Sequence, residues 1–166
     1  RAKLTTEDLY PGLIRWLEKQ GISVKIARWG SEPGTLRRFD DGSRTLVLSE
    51  LLPTRSRTFQ LAHQIGLMTH GALLDRLVER ARLASDESRG LARASLANYF
   101  AGAVLMPYGR FLEAAKEERY DIDVLGRRFR VGFEQVCHRL TTLRRAGAEG
   151  VPFHMMRIDV AGNISK

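Results

Sequence analysis

His63, Gln64, Leu67 and His70 fall within one short run, LAHQIGLMTH, residues 61–70. A zinc-dependent hydrolase helix needs His-Glu-x-x-His, because residues four apart share a helix face and two imidazoles there can grip one metal. The Glu between them must ionise to take a proton from metal-bound water. Here the first His is present at 63, but the base position is an amide, Gln64, and the second ligand position is an aliphatic, Leu67. Gln64 cannot act as a base and Leu67 has no lone pair. His70 returns to the face of His63, yet seven residues climb about 10.5 Å along a helix. Two ligands of one zinc stand only roughly 4 Å apart, with bonds near 2 Å. His63 and His70 therefore cannot share a metal on an intact helix, and hydrolysis is not expected. Read blandly, His63 is a half-buried packing residue with a hydrogen bond.

The elements around this run follow from periodicity. Thr6-Glu7-Asp8 opens a helix with Leu9, Leu13, Trp16 and Leu17 on one face, stopping at Gly21. Ile22 to Arg28 alternates and reads as a half-buried strand. Residues 34–49 read as a hairpin around Asp40-Asp41-Gly42-Ser43, with Gly42 offering positive φ at the turn. From Pro53 the period becomes helical through Phe59, Ala62, Ile65 and Gly66. A second helical segment carries Leu73 to Val78, and a third runs from Ser85 to about Met106, ended by Pro107. Phe111 to Glu118 is helical again, and Asp123–Phe129 and Phe133–Arg145 form two helices joined at Val131-Gly132. Val151 to Val160 reads as a strand entering a turn at Ala161-Gly162-Asn163. The order predicts one α+β domain over residues 1–166, a small antiparallel sheet packed on a helical bundle.

Composition narrows the classes. The chain has 166 residues, enough for one domain with a real core, and no apolar run long enough to span a bilayer. No signal peptide is visible. The start at Arg1 and the strand-like close suggest a piece of something longer. A single cysteine, Cys137, excludes an internal disulfide framework and fits a cytoplasmic home. Lys and Arg number 27 against 19 Asp and Glu, a formal net charge of +8. That excess favours a phosphate-bearing partner, polymer or small ligand, since the Arg fork bonds phosphate oxygens bidentately.

About thirty residues beyond the opening run stands ANYFAGAVLMP, residues 97–107. The pairing resembles the ImmA/IrrE-type metallopeptidase-like family, in which a zinc helix is followed by Glu-Ala-Asn-x-Phe-Ala-x-x-x-Leu-Met-Pro and that Glu completes the metal site. Ala97, Asn98, Phe100, Ala101, Leu105, Met106 and Pro107 match, but the ligand position is Leu96. The resemblance implies a zincin-derived domain with its catalytic Glu, second His and third ligand replaced by Gln64, Leu67 and Leu96, and no zinc. More closely, LAHQIGL, ANYFAGAVLMPYGRF, FRVGFEQVCHRLTTL and VPFHMMRIDVAGNISK are similar to the sensor region of short-chain fatty acyl transcriptional regulators of the PrpR/RamB type. That likeness covers most of residues 53–166 and is loose over the first fifty. It implies coenzyme A or a short-chain acyl-coenzyme A as ligand, in a regulator of propionate or acetate catabolism. It also implies an N-terminal helix-turn-helix that binds DNA, a Cys-rich C-terminal region able to carry an iron–sulfur cluster, and a homodimer; the first two lie outside this chain.

An acyl-coenzyme A needs an apolar slot and cationic donors for its phosphates. Leu96, Tyr99 and Ala103 share one helix face, with Phe100 and Met106 adjacent. Set against Leu67 and His63, that face would form the slot, with Tyr99 and His63 as polar handles. For the phosphates the first choice is Arg55 and Arg57 at a helix start, where free N–H groups also face an anion; Arg28 and Arg38 come next. Arg144-Arg145 is a further pair. Residues 124–145 mimic a helix-turn-helix, but the second helix opens on Phe133-Glu134, a poor start for reading DNA. A DNA-binding or dimerisation module without a small ligand remains the alternative.

Overall fold

The computed structural model describes residues 9–28 and 36–165. Contacts gather into two compact units, Arg1–Leu105 and Met106–Lys166. The expected helix start at Thr6-Glu7-Asp8 and the hairpin's first residues, 34 and 35, lie outside the described residues.

In the first unit, α1 (Leu9–Lys19) buries Leu13 and Leu17. It ends as its sequence predicts. Gly21 takes φ +74, and the Ile22 N–H reaches back to the Leu17 carbonyl at 3.0 Å, closing the helix in a left-handed cap. Three strands follow: β1 (Ser23–Ala27), β2 (Arg37–Asp40) and β3 (Thr45–Ser49), in the order β1-β3-β2. β2 and β3 form the expected antiparallel hairpin, but β1 pairs parallel with β3. The sheet is therefore mixed, not wholly antiparallel. β1 is joined to β3 only through β2, so the chain returns to β1's side running the same way. The turn also differs in detail. Arg44, not Gly42, takes the positive φ, and the Asp40 carboxylate accepts from the N–H groups of Gly42 and Ser43.

Register sets which side chains face inward. Arg37 lies opposite Leu48 and Phe39 opposite Leu46, and directly opposed residues point to the same side of a sheet. Leu46 and Leu48 are fully buried, so Arg37 shares the buried face and Arg38 the other.

α2 (Thr54–Arg80) is one continuous helix across the two segments read separately. Nothing in residues 67–72 can stop a helix, because Gly71 only weakens one. Every residue from Leu61 to Gly66 is buried, whereas beyond it only Leu74 and Val78 are. A helix apolar or neutral all round is one enclosed by protein, and the LAHQIG run is that part. α3 (Asp86–Leu105) starts at Ser85, whose hydroxyl accepts from the Ser88 N–H, and turns Ala97, Ala101 and Leu105 inward. Small residues there let the backbone of α3 approach α2, and Gly66 serves the same contact. A Cβ on Gly66 would stand 2.6 Å from Cδ1 of Phe100.

The second unit holds α4 (Tyr108–Glu117), α5 (Ile122–Phe129) and α6 (Phe133–Thr141) around Phe111, Leu125, Val136 and Leu140. Phe111 and Phe129 meet edge to face at 5.1 Å. Asp121 caps α5 through the Val124 N–H. α6 ends at Thr141 rather than Arg145: the Thr141 and Thr142 hydroxyls bond carbonyls three residues back, in competition with the helix. Arg144–Arg145 (β4) instead pairs with Ala148–Glu149 (β5) across a turn at Gly147. The strand expected from Val151 to Val160 shrinks to Arg157–Ile158 (β6), paired with Ile164–Ser165 (β7). Pro152 has no N–H to donate, and Val151, Met156 and Val160 are exposed, so nothing drives a longer ladder.

Candidate functional site

His63 and Gln64 sit in the enclosed part of α2, with only 6% and 4% of their surface exposed. The His63 ring is held from two elements. From β2, a guanidinium N–H of Arg37 donates to its Nδ1. From α3, the backbone carbonyl of Ala94 is hydrogen-bonded to the ring. Burial first, and then the Arg37 charge, take the imidazole pKa from 6.5 down to about 4, against the opposing backbone hydrogen bond to Ala94. His63 is thus neutral at physiological pH. Burial also lowers the Arg37 pKa, and that guanidinium remains cationic.

Leu67 and Leu96 are half-buried. Of the side chains at 63, 67 and 96, two are aliphatic and offer no lone pair, and the third already meets a guanidinium at one nitrogen. The residues present do not fit the metal. Among the described residues no three His, Cys, Asp or Glu side chains are grouped to hold one.

Ala97, Ala101 and Leu105 point inward, while Leu96 and Ala103 are half-buried and Tyr99 is 52% exposed. The rows 97/101/105 and 96/99/103 are both helical faces, and the alanine row wins because it allows closer helix packing. Phe100 is half-buried, pressed on Gly66 and within 4.8 Å of the His70 ring. Met106 is buried as the first residue of the second unit, where its carbonyl accepts from Arg139 Nε at 2.9 Å.

The predicted phosphate residues divide. Arg28 and Arg57 converge on Glu50: Arg28 pairs with its carboxylate at 2.6 Å, and Arg57 donates to its backbone carbonyl at 2.8 Å. The Arg57 Nε is buried without a hydrogen-bond partner. Arg55 and Arg38 are exposed and are not drawn into this group. Arg37, the neighbour of Arg38 and not among the predicted site residues, is the arginine that meets His63. Strand alternation with Phe39 and Leu46 was the available signal that Arg37 is the inward one.

In the second unit, Glu134 at the start of α6 pairs with Arg157 at 3.2 Å and Arg139 is buried, so this helix does not present a basic reading face. No described helix is long and apolar enough to cross a membrane.

Residues 17–141 match the IrrE N-terminal-like domain, and residues 142–166 match the C-terminal region of the short-chain fatty acyl coenzyme A regulators. The chain is 48% identical over 150 residues to the HTH-type transcriptional regulator PrpR of Mycobacterium tuberculosis, covering 90% of this chain and 30% of that protein. It is 40% identical over 159 residues to the propionyl-CoA carboxylase regulator of Cereibacter sphaeroides, covering 96% of this chain and 33% of the relative. RamB of Mycobacterium tuberculosis is 41% identical over 131 residues, 79% of this chain and 28% of its own. A solved Mycobacterium tuberculosis transcriptional regulator superposes with a TM-score of 0.90 at 45% identity, covering 99% of this chain and 50% of that one. The chain spans about a third of the length of the curated relatives it matches.

Proposed function

We propose a function from one premise, that this chain belongs to the family of IrrE N-terminal-like domains and its relatives are transcriptional regulators. It is the acyl-coenzyme A-sensing part of a regulator of short-chain fatty acid catabolism, on a peptidase-like fold without peptidase chemistry. The observation that carries this reading is the match of residues 142–166 to the acyl-coenzyme A regulators, running directly on from the family segment. The chemistry agrees. Gln64 stands where a base is required, and Leu67 and Leu96 stand where two ligands are required. An amide and two aliphatics leave binding, not hydrolysis, as the role of this surface.

In this reading Leu67, Leu96, Phe100 and Ala103, all half-buried, line the acyl slot, with His63 beneath them. Arg28 and Arg57, with Arg55 beside them, supply cations for the coenzyme A phosphates. Ligand binding then biases the arrangement of neighbouring regions, including a DNA-reading domain outside this chain, in a homodimeric regulator.

A thermal-shift series with coenzyme A and its acetyl, propionyl and longer esters tests this. At a hundredfold excess over Kd the ligand adds about 2.7 kcal/mol, a rise of several degrees for a domain of this size. No rise with any ester rejects the sensor reading.

A further inference from the structure

The hydrogen bond between Arg37 and His63 has a chemical consequence for the imidazole. A guanidinium only donates. The nitrogen it meets, Nδ1, must therefore offer its lone pair, and the neutral ring carries its single proton on Nε2. With Nδ1 taken, Nε2 is the ring nitrogen left to donate, and the backbone hydrogen bond to Ala94 is compatible with that. The strand neighbour thus selects the tautomer, and the helix neighbour is consistent with it.

Metal-binding histidines on a His-x-x-x-His helix need the reverse. Their second nitrogen donates to a carboxylate, carbonyl or water, which fixes the tautomer and leaves the ligating lone pair free. We infer that Arg37 is a positioning residue that holds His63 in the Nε2–H tautomer, a lesion to the metal site separate from the three replaced side chains and invisible in the helix motif. The register of β2 supplies it: one residue's slip would bring Arg38 inward and leave Arg37 outside. The inference rests on the lost peptidase chemistry in the proposed function and is independent of whether an acyl-coenzyme A binds.

Two measurements on the whole chain test it. Nitrogen-15 spectra of the ring distinguish the tautomers directly, and His63 is expected to show a protonated Nε2 and an unprotonated Nδ1. A protonated Nδ1 overturns the inference, whatever the variants do. Zinc retention under chelator competition is then compared between Leu67→His/Leu96→Glu and the same pair with Arg37→Gln, whose amide oxygen can accept from Nδ1. The chain carrying Arg37→Gln is expected to hold zinc about tenfold more tightly or better, the usual scale of an outer-shell effect. Equal retention by the two, including none by either, overturns it. Failure of every coenzyme A ester in the thermal series would leave both results unchanged.

Discussion

Arg139 in the second unit and Arg37 in the first are both drawn out of solvent, but they end on different atoms. Arg139 is 4% exposed and donates from Nε to the Met106 carbonyl and from Nη1 to the Thr142 hydroxyl, with the Tyr108 ring 5.7 Å from its guanidinium carbon. Both of these hydrogen bonds end on oxygens of the fold, and its role is that of a brace. Arg37 is half-buried on an edge strand, and it meets the one side chain in LAHQIGL that could still bind a metal. A guanidinium aimed at backbone oxygen stabilises a structure; aimed at an imidazole, it also selects that ring's chemistry.

The largest effect should come from breaking the brace. Arg139→Ala removes the donor to a buried carbonyl together with the packing of a long side chain, and should cost about 3 kcal/mol or more in denaturant melts. Arg139→Lys should recover only part, because an ammonium lacks the planar fork.

Next is acid. The folded His63 pKa of about 4 lies below its ordinary 6.5, so between those values the unfolded chain takes up a proton that the folded chain refuses. Stability contributed by His63 is fully present above about 6.5 and is lost as pH falls toward 4, up to about 3 kcal/mol in all. His63→Gln should abolish that slope within this window. A slope that survives unchanged would place the acid sensitivity elsewhere.

Gly66→Ala comes third. Helix propensity favours Ala by about 1 kcal/mol, but the new Cβ would meet Phe100 at 2.6 Å. Overpacking of this kind costs typically 1–3 kcal/mol, so the expected sign is destabilising, with partial recovery when Phe100→Leu is added. The smallest pair sharpens the contrast on β2. Arg37→Ala should cost about 1 kcal/mol through the lost hydrogen bond, while Arg38→Ala, on the outer face, should stay within about 0.5 kcal/mol. Equal effects would mean that strand register does not separate these neighbours.

Much of this was legible in the chain. Gly21 stops α1, Pro107 separates α3 from α4, and the Val131-Gly132 joint divides α5 from α6, because backbone geometry and missing donors act locally. That Gln64 cannot ionise and that Leu67 and Leu96 carry no lone pair was legible for the same reason: side-chain chemistry is written in residue type. Tyr99 shows where such reading stops. Spacing groups it with Leu96 and Ala103, but spacing leaves open which face of α3 is buried, and only contact with α2 selects the row Ala97, Ala101 and Leu105. The parallel pairing of β1 with β3 is likewise a long-range choice.

The sequence alone therefore determined the type of nearly every element and that residues 61–70 carry no His-Glu-x-x-His set, since both follow from local period and functional groups. Tertiary structure alone decided that Arg37, 26 residues upstream, meets His63. That meeting depends on strand register and on the docking of a sheet against a helix, and neither is encoded in the spacing of any one segment.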